Sequence, residues 1–180
     1  MSTHQKALMM AHIAAVLFGL TGILGALIES TAEMITFGRA FFAVIGLALI
    51  LILQKKPILT GISRFQALML LLSGSLLAMH WVTFFVAIKV GGVAVATLGF
   101  ASFPAFITLV DRIVFKEVIR RKEWLLLLLV MIGLILVTPE FSFGSQGTVG
   151  LIWGILSGLS FALLAVVNKR GVRGVDAMQV

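Results

Sequence analysis

Residues 115–125 read Phe115-Lys116-Glu117-Val118-Ile119-Arg120-Arg121-Lys122-Glu123-Trp124-Leu125, and the leucines continue to Leu129. Lys116, Arg120, Arg121 and Lys122 crowd one short connector between two apolar runs, 93–115 and 124–138. Between apolar runs of near-bilayer length, such a connector reads as a cytoplasmic turn, because short membrane loops on that side carry an excess of Lys and Arg.

The same alternation continues outward in both directions. A spanning helix needs about 20 apolar residues at about 1.5 Å rise each. Six stretches meet or approach that length: 7–28, 34–53, 66–88, 93–115, 124–138 and 148–167. The fifth is short and bounded by Glu123 and Glu140. None has the in-out alternation of a membrane barrel. The first run exceeds the roughly 7–15 apolar residues of a cleaved signal peptide, so it reads as a retained helix. The expected fold is all-α, a polytopic membrane helix bundle of about six transmembrane helices.

Orientation follows from the cations. With the N-terminus inside, the cytoplasmic segments hold Lys6, then Lys55, Lys56 and Arg64, then the four of the opening stretch, then Lys169, Arg170 and Arg173. The outer connectors hold Lys89 alone, together with Glu29, Glu33 and Glu140, while Arg39 and Arg112 fall inside predicted helices. Both termini are therefore expected in the cytoplasm and the chain in the inner (plasma) membrane.

Composition agrees and excludes other classes. The 180 residues are 61% hydrophobic and 12% charged, with a mean hydropathy of +1.17. A soluble fold of this size cannot hide so much apolar surface; a bilayer removes the need. The net charge of +7 lies in loops between spans rather than on one solvated face with interleaved aromatics, so no nucleic-acid partner is expected. There is no cysteine, which excludes disulfides and thiolate metal sites within this chain. No Gly-x-x-x-x-Gly-Lys-Ser/Thr loop is present, nor an intramembrane Gly-x-Ser-Gly or a pair of mid-membrane acids. Neither an enzyme nor a bound cofactor or metal is expected.

A weak internal similarity adds a further expectation. Val16-Leu17-Phe18-Gly19-Leu20-Thr21 resembles Ile155-Leu156-Ser157-Gly158-Leu159-Ser160, and Ala26 and Ala165 keep the same offset. The two helices run in opposite directions through the bilayer, as the halves of an inverted repeat do in secondary transporters.

The residues then resemble the drug/metabolite transporter superfamily, in its EamA-like branch. The resemblance is carried by Val16-Leu17-Phe18-Gly19, by Phe37-Gly38-Arg39-Ala40-Phe41-Phe42-Ala43, by the stretch from Ala94 to Pro104-Ala105-Phe106 with Glu117 beyond it, and by Asn168-Lys169-Arg170. It implies an inverted-repeat fold of ten helices in two five-helix repeats. Set against that pattern, residues 1–140 hold the first repeat and 141–180 the opening helix of the second, the remainder being absent. The implied function is secondary, alternating-access transport of small organic solutes such as metabolites, amino acids or drugs. The alternative is a truncated, non-transporting remnant, or a half-transporter that works as a homodimer or with a second half-chain.

Charged and polar residues inside spans are costly and mark sites. Arg39 shares a small, polar face with Thr36, Ala43 and Gly46, and offers planar donors to a carboxylate or phosphate. His80 shares a face with Ser73, Thr83 and Ala87 and is a candidate for proton coupling, with Trp81 beside it. Thr97, Ala101, Pro104 and Thr108 form a stripe in the fourth run, where a mid-helix proline would free a carbonyl. The candidate cavity set is thus Arg39, Thr36, Ser73, His80, Trp81, Thr83, Thr97 and Pro104, enclosed by the first four helices with the fifth outside. Gly150, Gly154 and Gly158, at four-residue intervals, are read as a packing seam.

Overall fold

The computed structural model describes residues 3–56, 61–137, 144–172 and 174–175. Six helices follow in order: α1 (Thr3–Leu27), α2 (Ala32–Leu53), α3 (Arg64–Phe100), α4 (Phe103–Phe115), α5 (Arg121–Val137) and α6 (Gln146–Gly171). No strand occurs among the described residues. The chain is a polytopic helical membrane protein. By length and apolar character α1, α2, α3 and α6 qualify as spans, whereas α4 and α5, at 13 and 17 residues, are each shorter than the roughly 20 residues a single crossing needs.

Local chemistry sets the helix starts. Thr31 caps α2, accepting from the Met34 amide, and Glu33 lies in the first turn, where a negative charge faces the positive end of the helix dipole. Ser63 and Gln66 form a reciprocal capping box at α3, with Ser63 N–H donating to Gln66 Oε1 at 2.9 Å and Gln66 N–H to Ser63 Oγ at 3.2 Å. Ser145 caps α6 through the Thr148 amide.

A single α3 of 37 residues would be about 55 Å long, nearly twice the hydrocarbon thickness. It is not one rod. Gly92 has φ 83° and ψ 167°, a backbone state that side chains oppose, and the chain reverses there. The register against α6 proves the reversal. Along 64–91, Gly91 meets Gly150, His80 meets Ser157, Ser73 meets Asn168 and Met69 meets Gly171, so this arm is antiparallel to α6. Beyond Gly92, Gly99 meets Gly154, Ser102 meets Gly158 and Asp111 meets Lys169, so the returning arm is parallel to it. The expected third and fourth spans thus exist as a hairpin clasping α6.

The returning arm is itself interrupted. Helix geometry ends at Ala101 and α4 restarts after Ser102. Pro104 sits in the first turn of α4, where its missing N–H would have had no intrahelical acceptor. The expectation of a mid-helix proline kink is therefore corrected: the break lies just upstream, and Pro104 starts a helix instead of bending one.

The α3–α6 seam is built from small residues. A Cβ on Gly99 would stand 2.8 Å from Gly154 Cα, and one on Gly91 would stand 2.9 Å from Gly150 Cα. Backbones this close are what holds helices together in lipid, where no hydrophobic drive separates apolar exterior from apolar solvent. Ser157, Ser160, Ala162, Ala87 and Ala96 are buried at this seam or beside it. The bulky apolar residues face out instead, with Phe42, Leu71, Ile113 and Leu136 all more than 70% exposed.

The bundle has two ends. Lys89 Nζ donates to the Ile28 carbonyl and Gly91 meets Gly150, gathering the 28–31, 89–92 and 144–147 connections at one end. Arg64, Lys116, Arg120–Lys122 and Lys169 belong to the other, joined through the Lys169–Asp111 ion pair at 3.5 Å.

Candidate functional site

Among the described residues, two cavities flank Arg39 between the helices. The one at mid-bundle has a volume of about 450 Å³ and draws its wall from five helices: Phe18, Gly19 and Gly22 of α1, Arg39 of α2, His80, Trp81, Phe84, Thr97 and Phe100 of α3, Phe103 of α4 and Phe161 of α6. The other, about 540 Å³, lies toward the 28–31 connection between α1 and α2 and reaches Phe85. Arg39 and Thr21 line both, so they form the partition.

His80 is fixed by α6. Its Nδ1 lies 2.7 Å from Ser157 Oγ, and Ser157 Oγ donates to the His80 carbonyl at 3.1 Å. A serine hydroxyl has one proton. Since that proton goes to the carbonyl, Oγ accepts from Nδ1–H, which assigns the tautomer from the bonding pattern. Nε2 is then the acceptor nitrogen available to the cavity that His80 lines. Around the imidazole stand Phe100 and Phe161, each with ring centroids at 5.0 Å, and Phe84 at 6.1 Å. Phe103 extends the cluster, 5.1 Å from Phe100 and 5.3 Å from Phe161.

Arg39 reaches over two aromatic faces, 4.4 Å from the Trp81 ring centroid and 5.4 Å from Phe85. Cation–π attraction supplies about 0.5–2 kcal/mol, whereas the cost of an arginine at mid-membrane is at least about 2.5–3.5 kcal/mol. The rings therefore offset only part of the charge. No carboxylate of the described residues lies within ion-pair distance of Arg39. One turn before it, the Thr36 hydroxyl is buried without a hydrogen-bond partner.

The structure thus brings together Arg39, His80, Trp81 and Thr97 of the expected set. It places the others elsewhere. Ser73 is bonded to Asn168 Oδ1 at 2.7 Å, toward the basic end. Thr83 Oγ1 turns back on its own helix, to the Met79 carbonyl at 2.7 Å and the His80 carbonyl at 3.1 Å. Thr36 and Pro104 do not line the mid-bundle cavity. The expected enclosure by four helices also gains a wall, since α6 contributes Phe161 and the Ser157 that holds His80. α5 lines neither cavity, and its described side chains are exposed or partly exposed.

Sequence reasoning missed Ser157 and the aromatic cluster. One signal was available: Phe84 and Phe161 follow His80 and Ser157 by four residues each, so each lies one turn along the same helix face. What no spacing could supply is which two faces meet.

The sequence model of the EamA-like transporter family matches residues 5–138, which takes in α1 to α5 and both arms of the hairpin. No curated protein and no solved structure matches the chain. The match covers most of the chain and coincides with a helical membrane bundle holding a central cavity; the chain belongs to the EamA-like transporter family.

Proposed function

We propose that the chain carries small organic solutes across the inner membrane by alternating access, with the mid-bundle cavity as its binding site and both termini in the cytoplasm. One observation supports this above the rest: a cavity of about 450 Å³ lined by Arg39, His80, Trp81 and Thr97, a size within the usual range for small-molecule sites. The family match supports transport as the activity, and the gathering of described cations at one end supports the orientation. In this reading residues 1–140 form the first five-helix repeat and α6 opens the second, packed where the repeats meet. Arg39 stands between the two cavities and the solute passes it.

The test is accumulation. Proteoliposomes containing the chain are incubated with a mixture of metabolites and amino acids, and retained solutes are read by mass spectrometry. Selective accumulation, abolished in a cavity-filling Phe161→Trp variant that still inserts, is the expected result. Retention equal to that of empty vesicles contradicts the proposal.

A second reading is favoured by one feature. Phe18 lines the cavity yet is 67% exposed, and Thr97 is exposed as well, so the wall on the α1 side stands open. In this reading a second copy of the chain closes that side, making the carrier a homodimer. Cross-linking at Phe18→Cys in membranes gives a dimer band in that case and none otherwise.

A further inference from the structure

Resting on the cavity as the solute site, we infer its substrate class: a flat, ring-bearing organic carboxylate. Two independent features of the wall require the two halves of that description.

The charge requirement comes from Arg39. Among the described residues it is the one permanently charged side chain lining either cavity, it has no carboxylate partner, and no acidic side chain lines the space around it. A cation entering either chamber meets like charge with nothing to balance it. An anion supplies the missing partner, and a carboxylate matches the planar fork of a guanidinium with two parallel hydrogen bonds. Because Arg39 borders both cavities, an anion passing between them stays within reach of the same group.

The ring requirement comes from the rest of the wall. Phe84, Phe100, Phe103 and Phe161 form edge-to-face and stacked contacts at 5.1–5.8 Å between centroids, with Trp81 completing the side next to Arg39. Such surfaces pair best with another π-system, since quadrupoles favour offset and edge-on partners. A linear aliphatic chain gains area there and none of that geometry. His80 Nε2, with Nδ1 committed to Ser157, adds an acceptor for a donor group on the ring.

The experiment is calorimetry on the full chain in phosphatidylcholine nanodiscs, whose zwitterionic lipid offers no net anion to compete. Four probes are used: 2-naphthoate, 2-naphthamide, 2-naphthylmethylammonium and decanoate. The naphthoate is expected to bind about tenfold or more tightly than each of the other three, a difference equal to one matched charge or one lost set of stacking contacts. Arg39→Gln brings naphthoate down to within about twofold of the amide, and monodisperse elution with the parent's helical circular dichroism checks that the variant is folded. Phe161→Ala weakens naphthoate and amide alike. Equal binding of naphthoate and amide in the unsubstituted chain, or a preference that survives Arg39→Gln, overturns the assignment and leaves the cavity as a solute site of other specificity. Preference for decanoate overturns the ring. Binding of none of the four removes the cavity as a solute site, and this assignment with it.

Discussion

The α3 hairpin with α6 and the outer helix α5 are both apolar, yet they are built on opposite plans. In the hairpin seam, Gly91, Gly99, Gly150 and Gly154 let backbones touch, and two pairs of polar groups are bonded across it, Ser73 to Asn168 and His80 to Ser157. In α5 the run Leu125–Leu129 presents bulk outward, with Leu125, Leu126, Leu128 and Leu129 all more than half exposed. A soluble protein places large apolar residues inside and polar ones outside. Here lipid is the solvent, so hydrophobicity no longer sorts inside from outside, and small size and hydrogen-bonding capacity do the sorting. The polar content of the seam is also where the cavity lies. Stability and the proposed function draw on one set of residues.

That contrast can be broken most sharply at the seam glycines. Gly154→Leu forces a side chain against Gly99 and the Ala96 carbonyl and should lower stability by about 3 kcal/mol or more, as overpacking does; thermal unfolding in detergent measures it. Gly133 in α5, with nothing near it within 4 Å, is the matched control, and Gly133→Leu should cost no stability and gain up to about 1 kcal/mol from helix propensity. A comparable loss at both positions would erase the distinction between seam and periphery.

A smaller effect is expected at the bond that fixes His80. Ser157→Ala removes the hydroxyl that bridges Nδ1–H and the His80 carbonyl; Nδ1 keeps the Ser157 carbonyl at 3.3 Å and the His80 carbonyl keeps Thr83 Oγ1 at 3.1 Å, so the expected cost is about 0.5–1.5 kcal/mol. Ser157→Thr, which keeps the hydroxyl, should recover part of this. Smaller again is Leu128→Ala on the lipid side, expected within about 0.5 kcal/mol of the parent by the same unfolding measurement.

Much of this architecture was legible in the residues, for definite reasons. Bilayer-length apolar runs and their basic connectors are one-dimensional signals, and the reversal at Gly91–Gly92 fell between two runs read as separate helices. The seam at Gly150, Gly154 and Gly158 was equally readable, since four-residue spacing fixes a common face. Three things were not. The run 93–115 has no visible break, so Pro104 reads from sequence as a mid-helix kink, whereas Ala101 and Ser102 end the helix without any helix-breaking residue type. Thr83 and Ser73 share a face with His80 in sequence, yet one bonds its own backbone and the other a residue 95 positions away; face membership says nothing about the partner. The role of α6 in the cavity was hidden for the same reason, because Ser157 and Phe161 acquire meaning only from the arm they meet.

In the proposed site Thr97 faces a solute-accessible cavity, while Thr83 on the other arm and Leu128 on α5 do not line it. The direct measurement is labelling of single cysteines at these three positions in native membranes with a small hydrophilic methanethiosulfonate. Rapid modification of Thr97→Cys, slowed by bound solute, with Thr83→Cys and Leu128→Cys unreactive, is the predicted pattern. Thr97→Cys as inert as Leu128→Cys would contradict it.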